Sequence, residues 1–124
     1  MSGFTINRVV LVGRLTRDPE LRALPDGTSV CALRLACNEL RRDRDGGLAE
    51  RPNYFDVHAY GASAEACARY LRTGAQVGVD GRLQWREWDA RGALARRQAV
   101  AIVADCVQFL DPAGGGRSCE ADTD

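Results

Sequence analysis

The run Tyr54-Phe55-Asp56-Val57-His58-Ala59-Tyr60 alternates strictly. A period of two specifies a β-strand with two chemically distinct faces and is incompatible with a helix. Phe55, Val57 and Ala59 form a face suited to a core, and Tyr54, Asp56, His58 and Tyr60 form the other. An acid and an imidazole keep that second face wet, so its two tyrosines are rings held in solvent. At about 3.3 Å rise per residue they stand roughly 20 Å apart, a span on which more than one unpaired base can stack.

The same period recurs along the chain. Ile6 to Leu15 reads as a first strand, apolar on both faces apart from its ends. Pro25-Asp26-Gly27 predicts a turn, with Pro preset for the second position and Gly free to take positive φ. Ser29 to Asn38 is a second strand with Cys31, Leu33, Leu35 and Cys37 on its apolar face, and Val30, Ala32, Arg34 and Ala36 on the other. Arg34 is thereby aimed at solvent or a ligand. Glu39 to Pro52 reads as a flexible basic loop carrying Arg41, Arg42, Arg44 and Arg51, and Asn53 to Tyr60 is the third strand.

After Gly61, Ala64, Cys67, Ala68 and Leu71 recur at helical spacing, with Ser63 placed to cap the helix and Gly74 to end it. Ala75 to Trp88 is a fourth strand. Val77, Val79, Leu83 and Trp85 lie on one side, and Gln76, Asp80, Arg82, Gln84, Arg86 and Trp88 on the other. Arg96 to Leu110 is the fifth, with Val100, Ile102, Ala104 and Cys106 sharing a face. Gly13, Gly78 and Gly81 fall inside strands, where glycine permits a bend or a close backbone approach. Three strands, one helix and two strands predict an all-β fold, a five-stranded Greek-key barrel of the OB type with its helix between strands three and four. Residues 1–110 are read as one binding domain and 111–124 as a short disordered, Gly-rich, acidic tail.

Charge narrows the partners. The chain has 17 arginines, no lysine and 17 acids. Before Asp111 the balance is 16 basic to 13 acidic residues. Arginine grips phosphates bidentately and stacks on bases. No apolar run approaches the ~20 residues that cross a bilayer, and the N-terminus carries no signal pattern. A cytoplasmic, nucleoid-associated protein with no membrane partner is expected. The five cysteines (Cys31, Cys37, Cys67, Cys106 and Cys119) show no C-x-x-C spacing. They are read as small buried thiols, with neither a disulfide framework nor a metal site. No cofactor is indicated. Asp56 and His58 alone do not make a nuclease, since phosphodiester hydrolysis gathers several carboxylates around metal ions. The chain is therefore read as a binding protein with no catalytic residues.

Several separated motifs carry a resemblance. NRVVLVGRLTRDPELR from Asn7, the turn Pro25-Asp26-Gly27, the segment Ala59-Tyr60-Gly61, the helix end Tyr70-Leu71-Arg72-Thr73-Gly74 and VDGRLQWREW from Val79 occur in order. Together, over about Asn7 to Leu110, they resemble the bacterial single-stranded DNA-binding protein family of homotetrameric type. The resemblance implies an OB-fold homotetramer that binds single-stranded DNA without sequence preference and protects it in replication, recombination and repair. Of four base-stacking positions in that family, three correspond to Tyr54, Tyr60 and Trp88, and the fourth falls at Arg41. Family phosphate contacts correspond to Arg8, Arg44 and Arg86; the strand pattern adds Arg34 and the basic loop adds Arg42. Asp56 and Gln84 stand where the family often has basic residues. The family's acidic tip ending in Pro-Phe, which recruits replication and repair proteins, has no counterpart in Glu120-Ala121-Asp122-Thr123-Asp124, so recruitment by that route is not carried over. An accessory OB-fold subunit with weakened DNA binding is the competing expectation.

Overall fold

The computed structural model describes residues 3–89, 96–111 and 116–119, without the side chains at 88, 89, 96, 97 and 117. Its elements are β1 (Val9–Leu15), β2 (Glu20–Ala23), β3 (Ser29–Arg42), β4 (Leu48–Tyr60), α1 (Ala62–Tyr70), β5 (Gln76–Asp89), β6 (Arg96–Phe109) and β7 (Gly116–Cys119). Hydrogen bonding runs in the order β1-β5-β6-β4-β3-β2, and β1 also pairs with β3. That extra pairing, Arg14↔Ala36 and Leu15↔Leu35, closes a five-stranded barrel. β2 is added outside on β3 and β7 on β6. The five-stranded OB barrel with its helix between the third and fourth barrel strands therefore stands as expected.

Closure explains the alternation. In β3, Cys31, Leu33 and Leu35 are buried against Val57 and Ala59 of β4, Val77 and Val79 of β5, and Ile102, Ala104 and Val107 of β6. Each fully buried Leu or Val contributes about 1.5–3 kcal/mol, so this inner layer dominates stability. Two glycines meet the geometric demand of closure. A Cβ on Gly13 would lie 2.6 Å from the carbonyl oxygen of Ala36, where β1 crosses β3, and one on Gly81 would run into the carbonyl of Val103.

The structure corrects several details. The segment expected to be a loop, Glu39 to Pro52, is mostly ladder: Asn38↔Pro52 through Arg42↔Leu48 continue the hairpin, leaving only a short tip. β2 is an additional strand with all four residues exposed. Gly61, not Ser63, occupies the N-cap and makes no side-chain cap bond; Ser63 is fully buried, its Oγ 3.5 Å from the carbonyl of Ser118. The helix ends at Leu71 rather than running to Gly74, which adopts φ +90° in the next turn and donates its N–H to Leu15.

A bulge changes the parity of β6. Asp80 pairs with Cys106 but Gly81 pairs with Ala104, leaving Asp105 unpaired. Cys106 therefore leaves the face of Ile102 and Ala104, and Val107 takes the buried position. Turned outward, Cys106 lies opposite Cys119 of β7 and forms a disulfide with it. Buried free thiols are found only at Cys31, Cys37 and Cys67 among the described residues. Residues 116–119 are strand rather than disordered tail.

Candidate nucleic-acid interface

The outer face of β3 and β4 is built by register. Val30 lies opposite Tyr60, Ala32 opposite His58, Arg34 opposite Asp56 and Ala36 opposite Tyr54. The small side chains of Ala32 and Ala36 keep this face low, so the rings on β4 stand above it. Tyr54 is 52% exposed. The guanidinium carbon of Arg34 sits 5.2 Å from the centre of its ring, and Arg34 Nη1 donates to Asp56 Oδ1 at 3.0 Å. One face of Tyr54 is thus occupied by a cation held in place by an acid. Such a pair rigidifies the ring, and a guanidinium over a ring contributes about 0.5–1 kcal/mol at an exposed site.

Tyr60 is half-buried, and its hydroxyl accepts a hydrogen bond of 2.8 Å from Arg86 Nη2. Arg86 also donates from Nε to Gln84 at 3.1 Å. The β5 positions expected on the polar face thus reach the β4 aromatics and make one continuous surface. Trp88 belongs to β5 in register with Arg97, but its side chain lies outside the described residues. Trp85, of opposite parity, is 57% exposed where the β5–β6 hairpin leaves the barrel.

The basic residues divide into two groups. Arg41, Arg42, Arg44 and Arg51 line a groove of about 370 Å³ at the β3–β4 tip. Alternation puts Arg41 and Arg42 on opposite sides of the arm, with Arg42 on the side of Tyr54. The tip itself is held by Asp43, whose Oδ1 accepts from the N–H groups of Asp45 and Gly47. Arg8 is separate, bound to Asp80 of β5 at 2.7 Å. Arg8 and Arg34 are therefore partly neutralised by acids, whereas the tip arginines make no ion pair with a described residue.

A larger groove of about 580 Å³ lies beside the tyrosines, lined by Arg17, Arg22, Asp56, His58 and Arg86 among others. Neither arginine is singled out by the sequence: Arg17 lies in the segment before β2, and Arg22 lies on β2, a strand of only four residues, all exposed. His58 forms part of the groove wall. Its Nδ1 is buried and makes no hydrogen bond to a described residue. Burial holds its pKa below the ordinary value; Arg86 and Arg22 lower it further and Asp56 opposes them.

The thiols play no part here. Burial pushes Cys67 up to about 12 and, with Glu20 nearby, Cys31 up to about 11, so both are neutral packing groups. No group of three or more His, Cys, Asp or Glu side chains among the described residues could hold a metal ion. No helix among them is long and apolar enough to cross a membrane.

Residues 6–110 match the model of the single-strand binding protein family. The single-stranded DNA-binding protein of Helicobacter hepaticus is 37% identical over 110 residues, covering 89% of this chain and 64% of that protein. Single-stranded DNA-binding protein 1 of Chlorobaculum tepidum is 39% identical over 115 residues, 91% of this chain and 71% of that protein. The chain thus spans about two thirds of the length of these relatives, and slightly less for the first. The Plasmodium falciparum SSB, solved in complex with ssDNA, superposes with a TM-score of 0.80 at 29% identity, over 90% of this chain and 100% of that one.

Proposed function

The chain belongs to the single-strand binding protein family, and from that premise we propose that it binds single-stranded DNA without sequence preference and protects it during replication, recombination and repair. The observation that carries this reading is the continuous outer face on which Tyr54 and Tyr60 stand between two sets of arginines. Every base has a π-face, so stacking holds a strand at roughly 1–3 kcal/mol per base with little selectivity. Arginines add counterion release, which makes binding steeply salt-dependent. In this reading Tyr54, Tyr60 and Trp88 stack on bases, Arg41 stacks on a base from the opposite side of the arm, and Arg8, Arg34, Arg42, Arg44 and Arg86 contact phosphates. The protein acts by binding, with no chemical step.

The reading extends to assembly. Val10 and Val12 project from the outer face of β1, and Leu83, Trp85 and Val100 from the β5–β6 hairpin, all exposed. Apolar surface of this kind supports self-association, and a homotetramer in the cytoplasm is the assembly we assign. Residues 1–110 form the binding domain in this scheme, with 111–124 appended to it.

Titration of a fluorescent oligo-dT strand against duplex of equal length tests the function. Quenching of the tryptophans with a clear preference for the single strand is expected; equal affinity for duplex would overturn it. A second reading, an accessory subunit with weakened DNA binding, is favoured by the internal pairing of Arg8 and Arg34 and by Arg41 in place of a ring. Nanomolar capture of oligo-dT by the purified homomer at physiological salt would exclude it.

A further inference from the structure

We propose that the groove between the β1–β2 segment and the β5–β6 hairpin is a phosphodiester subsite: Arg17, Arg22 and Arg86 grip one backbone phosphate of a bound strand, and His58 joins them by taking up a proton from solvent as the phosphate arrives. The proposal rests on the single-strand reading and deepens it.

The groove, about 580 Å³, holds three guanidiniums and one carboxylate. The carboxylate, Asp56, is already paired with Arg34. Neither Arg17 nor Arg22 makes a side-chain hydrogen bond or ion pair with a described residue, so both are available. Arg86 is oriented by Tyr60 and Gln84 through Nη2 and Nε. Guanidinium forks match the oxygens of a phosphate. The floor beneath them is kept low by Ala32, which lies between Glu20 and His58 in register. The groove also adjoins Tyr60, one of the stacking rings, so a strand lying on the rings passes its backbone over these cations.

His58 is the group through which protons couple to this site. The charged groups around it come from each neighbouring element: Arg17 before β2, Glu20 and Arg22 on β2, Arg34 on β3, Asp56 on its own strand and Arg86 on β5. β6 contributes Val103 in register and Ala99 to Ala101 along the groove, none of them charged. In the free protein, burial together with the charges of Arg86 and Arg22 keeps the imidazole neutral at pH 7.5. A phosphate seated among the arginines cancels their repulsion and offers an acceptor to a protonated ring. The pKa of His58 is then higher in the complex than in the free protein. By linkage, affinity rises as the pH falls through the bound value and levels off below the free one.

The chain has one histidine, so a single imidazole resonance reports its titration by NMR. With oligo-dT bound, the His58 pKa is expected to rise by about one unit, and affinity to be about tenfold higher at pH 5.5 than at pH 8. A His58→Gln variant should show neither the rise nor the gain in this range. Replacing Arg17 and Arg22 by Gln should abolish the shift and lower the salt slope by about one per residue. Oligo-dT that binds at pH 7.5 while the pKa of His58 stays unchanged would overturn the subsite and leave the single-strand reading intact. Failure to bind at all would instead remove that reading. A shift produced by inorganic phosphate and not by oligo-dT would overturn the assignment to a strand.

Discussion

The β3–β4 hairpin contains two regions that share one ladder and differ in everything beneath it. In the inner half, Val30 to Cys37 pairs with Asn53 to Tyr60, and alternate side chains are buried in the barrel. In the outer half, Asn38 to Arg42 pairs with Leu48 to Pro52, and every residue is exposed. Backbone hydrogen bonding is the same in both. The inner half is stabilised by its core face and has only one face to offer a ligand. The outer half has no core, so both of its faces are open, and it depends on its ladder, its Asp43-braced tip and the Asn38–Glu50 and Asn53–Glu39 contacts. Stability and ligand contact are thereby separated along a single pair of strands.

The separation can be broken most severely from inside. Leu35 is fully buried and faces Phe55 across the hairpin. Leu35→Ala should cost about 2–5 kcal/mol, read as a lower midpoint in urea unfolding. Oligo-dT affinity of the fraction still folded should be unchanged. A midpoint equal to that of the parent chain would mean that the core does not hold the inner half.

At the boundary between the halves the signature should invert. Tyr54 belongs to the inner half but points to solvent. Tyr54→Ala should weaken oligo-dT binding by about 1–3 kcal/mol, roughly 5- to 150-fold, with the urea midpoint nearly unmoved. A large loss of stability with intact binding would make Tyr54 a structural residue, and the separation of roles would fail there.

These differences also decide what could be read from sequence. Cys31, Leu33, Leu35 and Cys37 announce a strand because the barrel interior demands an apolar residue at every second position. The turn at Pro25-Asp26-Gly27 is equally legible: Gly27 takes φ +92° and Asp26 accepts from the Thr28 N–H at 2.9 Å. The outer half resembles a loop because, with nothing beneath it, no alternation is required. β2 and β7 are hidden for a different reason: each is only four residues long, and their partners on β3 and β6 define them. The bulge at Asp80/Gly81 flips the parity of Cys106, and a fixed period of two cannot register it. In the candidate site, Tyr54, Tyr60 and the basic tip follow from pattern and charge. Arg17 and Arg22 do not, because Arg22 reaches the groove on an unannounced four-residue strand and Arg17 from the segment just before it. The partner of Cys106 was hidden twice, by the bulge and by β7.

In the outer half, the expected effect is smaller and electrostatic. Arg42→Gln and Arg44→Gln should each reduce the slope of log affinity against log salt by about one, measured by fluorescence titration across a salt series. Stability should not change, since both side chains are exposed. A reduced affinity with an unaltered slope would show that these arginines act through hairpin geometry rather than through phosphate charge.

The smallest effect lies where a loop is pinned to the barrel without any core beneath it. Asp18 Oδ1 accepts from both the N–H and the hydroxyl of Thr73, each at 2.8 Å. The Thr73 N–H and then its hydroxyl stabilise the carboxylate, so its pKa lies below the ordinary value of 3.8, with Arg72 adding to the effect. A carboxylate depressed by folding contributes stability that is fully present above the unfolded value and is lost as pH falls through the folded one. Its contribution to thermal stability should therefore be constant with pH near neutrality and decline below pH 3.8. Asp18→Asn keeps an acceptor at the same place without the charge. It should lower the melting temperature slightly at pH 7 and flatten the decline in acid, while leaving oligo-dT binding untouched. Parallel melting curves for the two proteins from pH 5 to the acid limit would show that Thr73 is held by the chain around it and not by this carboxylate.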